Sequence, residues 1–445
     1  MPLLRDPLGF LRTLPPQGEL VRIGLGPIHA VVVCDPQLTE QVLLHDRVFD
    51  KGGPVVDALR DLGGDGLVIC PYAKHRRIRR LVQPAFHKSR IAEYGPIISK
   101  VIDQHTRNWD DGQISDAKAL LSDLTCRSVI ATLLNEPLLE RSVDRLVDDV
   151  AAIAGTSSTV LALMPPWARH LARPFTHRIL HAAADVRSIS LDLIRERRAT
   201  GADSGDLLSA LIAAYDQDSG SSLSEVEICD QIMTFLVTGT ETTANSLMWG
   251  LWLLEQHPTI AERLHNEVDS LLGGRAATCA DLPYLEFSRQ VVTEILRLYP
   301  PIWLFTRRVS EDTKLGGHLL SAGTVMIYSA YLIQHRPDLF VEAERFDPDR
   351  WAPSVGAPRS DSRMLPFGSG PRKCIGDSFA FLETVLALAT ITSRWSVTSV
   401  EGVDVRVGWN PALQPRRLSI RVQPRGMINQ PGTTGPSEPK ADIES

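Results

Sequence analysis

Strand-like apolar runs at Leu20 to Ile23 and Ala30 to Val33 open the chain, and a helical spacing takes over from Pro36 to His45. The glycine-rich stretch KGGPVVDALRDLGGDG then fills 51–66, so this first lobe reads as mixed α and β. From about His75 to Arg198 the apolar residues recur three and four apart, broken at Pro137 and by MPPWARHLARP at 164–174. That pattern predicts several helices around one proline-rich corner. Ser224 followed by Glu227 has the spacing of a capping box, and helical periodicity runs from there to His257 without a proline. At ~1.5 Å per residue this helix is roughly 50 Å long, enough to cross a whole domain. Its middle carries the polar TGTETT at 238–243, unusual for a simple core helix. Helices are predicted at 259–272 and 285–298, and strands around 304–309 and 324–329. A glycine-rich loop at 366–376 leads into a last long helix ending near Trp395, and RVGW and RLSIRV read as closing strands. The fold class is mainly α with a smaller β-rich lobe. The end of the chain, 424–445, is poor in apolar residues and is predicted to be a disordered tail.

Composition narrows the function. The 445 residues are 43% hydrophobic, enough for a large core, and the net charge of -6 offers no basic field for nucleic acid. The six cysteines, Cys34, Cys70, Cys126, Cys229, Cys279 and Cys374, show no C-x-x-C pair, which reads as reduced thiols in a cytoplasm. The start, MPLLRDPLGFLRTLPP, has too short an apolar run for a signal peptide or a membrane anchor.

The strongest chemical signal is FGSGPRKCIG, in which Phe367, Gly370, Arg372, Cys374 and Gly376 spell F-x-x-G-x-R-x-C-x-G. Chance would produce this on the order of once in ten thousand chains of this length. A thiolate ligand on an iron macrocycle needs glycines for close backbone approach and donors around the sulfur. Cys374 sits just before an apparent helix start, whose free N–H groups and dipole favour an anion. Arg372 adds a cation suited to a propionate. A generic lone cysteine is more often a buried thiol, but a buried thiol wants apolar neighbours and this loop is polar.

These residues resemble the cytochrome P-450 family of haem-thiolate monooxygenases. The resemblance implies a single domain over 1–423, with haem b between the long central helix and the cysteine loop and Cys374 as the iron ligand. Thr238-Gly239-Thr240-Glu241-Thr242-Thr243 is similar to the family's [AG]-G-x-[DE]-T-T motif. That implies Glu241 and Thr242 as an acid and alcohol that relay protons to oxygen, with small Gly239 letting the cofactor approach the helix. Taken alone, TGTETT would more often be a polar helix stripe. Thr238 stands where the family has Ala or Gly, so a further methyl and hydroxyl enter the pocket.

Glu294 and Arg297, three apart, are by themselves most often a solvated pair. With Glu344-Arg345-Phe346, similar to the family's P-E-R-F segment, they imply a buried structural network of Glu294, Arg297 and Arg345. HRRIRRLVQPAF resembles the family's W-x-x-x-R helix, with His75 in the Trp position, which implies His75 and Arg79 as propionate ligands. Arg307 falls where the family places another such Arg, and neighbouring Arg308 leaves that choice open. Lys74, Arg76, Arg77 and Arg80 form a basic face that would steer an acidic ferredoxin.

For the substrate, family position points to the loop between Phe49 and Cys70, the Pro165 to Phe175 corner, Thr238 and the Ile302 to Thr306 segment. Ile302, Trp303, Leu304 and Phe305 are bulky and apolar, so an uncharged hydrophobic molecule is expected. FDKGGP, LYPPIWLFTRRV, LGGH and RFDPDRW are similar to bacterial sesquiterpene oxygenases of the pentalenene type, implying a terpenoid substrate. The resemblance leaves no residues for a flavin domain, so O2 chemistry would draw NAD(P)H electrons through a ferredoxin and ferredoxin reductase. The proline-rich stretch before the first strand is short, leaving open how complete the start is. Fatty-acid or polyketide hydroxylation, and a non-catalytic haem-thiolate sensor or carrier, remain as alternatives.

Overall fold

The computed structural model describes residues 6–426 apart from 26–27, 136–139, 155–172, 219, 354–362, 401–404, 406 and 408–411. Most of the 164–174 corner, most of RVGW and the tail from 427 onward therefore lie outside the described residues. Along the chain come α1 (Pro7–Arg12), β1 (Leu20–Leu25), β2 (Ile28–Val33), α2 (Pro36–Leu44), β3 (Phe49–Asp50), α3 (Pro54–Gly63), α4 (Tyr72–Val82), α5 (Lys88–Arg107), β4 (Ile114–Asp116), α6 (Ala117–Leu133), α7 (Glu140–Ala154), α8 (Arg173–Thr200) and α9 (Leu207–Ala213). After the short hairpin β5 (Tyr215–Asp216) and β6 (Ser221–Ser222) follow α10 (Glu225–Gln256), α11 (Pro258–Leu272), α12 (Glu286–Leu298), β7 (Phe305–Val309), β8 (Thr313–Leu315), β9 (His318–Leu320), β10 (Val325–Tyr328), α13 (Ala330–Gln334), α14 (Asp377–Arg394), β11 (Trp395–Ser399) and β12 (Ser419–Pro424).

The predicted long helix is α10, and its start is built as the sequence implies. Ser224 Oγ accepts from the Glu227 N–H at 3.2 Å while Glu227 Oε2 accepts from the Ser224 N–H at 2.9 Å. Buried residues occur around most of its circumference, including Ile228, Leu236, Leu247 and Trp249, so α10 runs through the core with α6, α12 and α14 packed against it. The β lobe is a five-stranded sheet in the order β1-β2-β10-β7-β3. Its register sets Arg307 of β7 against Met326 of β10, and strand alternation sends Arg307 and Arg308 to opposite faces.

The 63–67 turn is fastened to α10. Asp230 Oδ2 accepts from the Asp65 N–H at 3.0 Å and Gln231 Oε1 from the Leu67 N–H at 2.9 Å. Gly64 has φ of 78°, and a Cβ there would lie 2.3 Å from Asp230 Oδ1. Arg187 of α8 donates to the same carboxylate at 2.8 Å, so the Asp230 side chain joins α8, α10 and the 63–67 turn.

Where α14 meets α6 and α10, the fully buried carboxyl of Glu383 faces the hydroxyls of Ser128 and Thr243. Burial pushes its pKa from 4.5 up to about 8, against a smaller downward pull from the two hydroxyls. The folded chain thus holds this proton more tightly than the unfolded chain. Stability from Glu383 is present in full below pH 4.5 and declines as pH rises toward 8, by roughly 1 kcal/mol per unit. Glu383→Gln should flatten that decline in pH-dependent unfolding midpoints; a variant with the wild-type slope would refute the assignment.

One boundary differs from expectation. The folded body passes residue 423, because Pro424 pairs with Trp395 and Arg425 binds Asp269 through two nitrogens at 2.9 and 2.8 Å. These residues look like tail in sequence because their partners are far away in the chain.

Candidate active site

Before α14 the chain turns tightly at Gly368 and Gly370, with φ of 68° and 69°. A Cβ on Gly370 would lie 2.5 Å from the Leu43 carbonyl oxygen, so the loop needs glycine to pass under the end of α2. The Cys374 N–H donates to the Phe367 carbonyl at 2.8 Å. Cys374, Phe367, Arg372 and Gly376 border a cavity of ≈ 560 Å³. Burial pushes the Cys374 thiol up to about 11, more strongly than the Gly376 N–H, Arg79 and Lys373 pull it down. Asp377, first in α14, works against them. The Gly376 N–H at the helix start favours the anion, as the sequence implies, and a metal cation at the sulfur would displace the proton.

Thr234, Thr238, Thr242 and Ser246 of α10, each four residues apart, border the same cavity. Each hydroxyl donates to the carbonyl one turn earlier, at 2.7 Å for the three threonines and 3.0 Å for Ser246. Glu241 borders the cavity beside Thr242. Gly239 also borders it, but a Cβ there would lie 3.0 Å from Val129 Cγ2, so its smallness serves the approach of α6 as well.

Lys51, His75, Arg79 and Arg372 border the cavity, and Arg307 lies behind the bordering Tyr328, 5.9 Å from its ring centre. Arg307 is buried, and its Nε and Nη1 have no hydrogen-bond partner among the described residues; nor has the Nδ1 of buried His75. Burial, with Arg372, Arg79, Lys51 and Arg307 nearby, pushes His75 down to about 3, so the ring is neutral. Lys51 is held well below its usual range by burial and by Arg307 and Arg372. Arg372 donates to Asp46 at 3.1 Å, Asp50 at 2.8 Å and the Cys70 carbonyl at 2.7 Å; a guanidinium has five N–H groups, so donors remain. Arg79 borders the cavity too, yet its nitrogens bind the Lys373 carbonyl at 2.5 Å and Gln83 at 3.3 Å. Arg308, on the opposite strand face, is spent on Asp57 at 2.5 Å. The tertiary structure thus separates the two arginines that the sequence left undecided.

A family model for cytochrome P450 matches residues 12–418. The chain belongs to the cytochrome P450 family. It is 41% identical to cyclooctat-9-en-7-ol 5-monooxygenase of Streptomyces melanosporofaciens, over 96% of this chain and 92% of that protein. It is 40% identical to pentalenene oxygenase of Streptomyces avermitilis, over 95% of this chain and 94% of that protein. The crystal structure of the cytochrome P450DA heme domain superposes with a TM-score of 0.85 at 25% identity, covering 96% of this chain and 93% of that one. This P450 is a haem-thiolate monooxygenase with haem b as cofactor, electrons from redox partners and a hydrophobic substrate.

The donor set fits haem. A sulfur lies on one wall of the cavity, and at its edge the orphaned nitrogens of Arg307 and His75 stand with Lys51 and Arg372 where two propionates would satisfy them. Lys51 was missed from sequence because a lysine in a glycine-rich loop reads as solvated; only the fold buries it, with its Nζ 5.4 Å from the Phe305 ring centre. Ile302, Trp303, Leu304, Phe305 and Thr238 all border the cavity, as do Val129, Ile179 and Ala183 from elements the sequence did not single out. The Pro165 to Phe175 corner falls where side chains are not described.

The structural network needs a correction. Glu294 and Arg297 are fully buried and doubly bonded, both contacts at 2.8 Å. The Arg345 guanidinium is instead 63% exposed and paired with Glu342; only its carbonyl joins, accepting from Arg297 at 3.1 Å. Arg350, at 3.4 Å from Glu294, takes the expected place. Trp351 Nε1 adds a bond to Glu294 at 2.8 Å. The turn around 342–351 decides which arginine points inward, and local sequence does not.

Proposed function

We propose that this P450 hydroxylates a terpenoid skeleton as a single-domain enzyme, and that its site residues act as follows. Cys374 ligates the iron, with Phe367 and Gly376 shaping its loop. Arg307, His75, Arg372 and Lys51 hold the propionates, with Arg79 bridging from α4 to the cysteine loop. Bound haem supplies the iron at which O2 is activated. The Thr242 hydroxyl, oriented by its bond to the Thr238 carbonyl, and the Glu241 carboxylate next to it pass protons to oxygen in the cavity. The observation that carries the reading is one apolar cavity, walled by Leu67, Val129, Met233, Val237, Ile302 and Leu304, that reaches from Cys374 to this hydroxyl stripe. The terpenoid substrate is supported by 40% identity to pentalenene oxygenase over nearly the whole chain.

Electrons come in this reading from a ferredoxin and its NAD(P)H-dependent reductase, in the cytoplasm. No helix among the described residues is long and apolar enough to cross a membrane. The basic face of α4 is weaker than its residue count suggests, because Lys74, Arg77 and Arg80 pair with Asp65, Glu227 and Asp216. Arg76 is left exposed on that helix.

Incubation of the haem-loaded protein with sesquiterpenes and diterpenes, ferredoxin, reductase and NADPH should give oxygenated products. Turnover of fatty acids with no terpenoid product would overturn the substrate. Thr242→Ala should keep haem and substrate binding while product per NADPH consumed falls on the order of tenfold or more. Unchanged coupling would overturn the proton relay.

A further inference from the structure

The hydroxyl stripe on α10 has a chemical polarity. A threonine hydroxyl offers one donor and two acceptor lone pairs. At Thr238 the hydroxyl donates to the Thr234 carbonyl at 2.7 Å, and while that bond is kept its lone pairs are what the oxygen offers the cavity. Thr234 makes the same kind of bond, to the Asp230 carbonyl at 2.7 Å. Around Thr238 the wall combines hydrocarbon from Val129, Met233 and Val237 with the hydroxyls of Thr234 and Thr242 one turn to either side. A pocket for a pure hydrocarbon gains nothing from an oxygen there, and an acceptor-only group such as a carboxylate, ketone or ether would meet lone pairs with lone pairs. A substrate O–H lying between the apolar side chains and this helix would find an acceptor at Thr238, and leaving a buried hydroxyl donor unmade is what such a site penalises most.

We infer that Thr238 is a specificity-determining residue that accepts a hydrogen bond from the substrate, and that the substrate is a terpenoid already carrying one hydroxyl. This rests on the terpenoid reading above. Thr238 and Thr242 are one helical turn apart, ~6 Å along the axis. One atom of O2 enters a substrate C–H bond and the other leaves as water with two electrons and two protons, so a monoalcohol becomes a diol. The reaction that supplies the substrate must itself install oxygen, as an earlier hydroxylation of the hydrocarbon or a cyclisation ended by water.

The test is equilibrium binding to the haem-loaded protein of cedrane, cedrol and cedryl methyl ether, with the same triad on the diterpene phyllocladane. The alcohol should bind about threefold to tenfold more tightly than the hydrocarbon, and the ether no more tightly than the hydrocarbon. Thr238→Val should erase the preference, and Thr238→Ser, which keeps the oxygen, should retain it. Thr238→Ala, which also removes the oxygen, gives a second route to the same loss. Equal binding of alcohol and hydrocarbon on both skeletons, or a preference that survives in Thr238→Val and Thr238→Ala, would overturn the inference while leaving the terpenoid reading standing. Binding of no member of either triad would overturn both.

Discussion

Cys374→Ser should abolish the thiolate signature of the ferrous carbonyl spectrum and lower monooxygenase turnover by at least two orders of magnitude. The reason lies in the two sides of the loop. The Gly376 N–H, Arg79 and Lys373 favour the anion at this sulfur, while burial raises the thiol pKa. A cysteine thiolate on the iron donates electron density that favours splitting of the O–O bond. A serine hydroxyl in the same place is a far weaker ligand and is harder to deprotonate. The loop should survive the change, because its shape comes from Gly368, Gly370 and the bond from the residue 374 N–H to the Phe367 carbonyl. Haem content and unfolding midpoint are the controls: a variant that keeps the spectrum and the turnover would remove Cys374 from the iron.

The largest effect on stability should come from Glu294→Ala, a loss of about 3–5 kcal/mol. This carboxylate is fully buried and accepts from Arg297 Nε and Nη2 at 2.8 Å each, from the Asp347 N–H at 3.1 Å and from Trp351 Nε1 at 2.8 Å. Arg297 Nη1 in turn reaches the carbonyls of Gln334 at 2.9 Å and Ala343 at 2.7 Å. Removing the acid strands a fully buried guanidinium, whose desolvation is then uncompensated. Arg345→Ala is the contrasting case. Its side chain is exposed and its only described partner is Glu342, three residues away, so the change should stay within about 0.5 kcal/mol. Denaturant midpoints of the two variants decide the matter: equal effects would return Arg345 to the network.

The predicted elements were legible wherever a local rule operates. The capping box at Ser224 and Glu227, the 3.6-residue pattern through α10 and the alternation in β7 each depend on neighbours within a few positions. The two segments that meet at the cavity were legible for the same reason. Cys374, Arg372 and Gly376 lie in ten residues, and Thr238, Glu241 and Thr242 in five. Lys51 and Arg350 were not legible, since nothing near them in sequence distinguishes a buried cation from a solvated one. The basic run of α4 misled in the opposite direction, because the carboxylates that neutralise Lys74, Arg77 and Arg80 are Asp65, Glu227 and Asp216, two of them from distant segments.

The sequence by itself determined the haem-thiolate motif, the long helix with its hydroxyl stripe and the mainly α class, because each is encoded by spacing along a single element. Only the tertiary structure decided that Arg307 rather than Arg308 is buried with unpaired nitrogens, that Arg350 replaces Arg345 beside Glu294, and that Lys51 joins the cationic cluster. Burial and charge pairing are sums over neighbours from every part of the chain, and no local pattern carries such a sum.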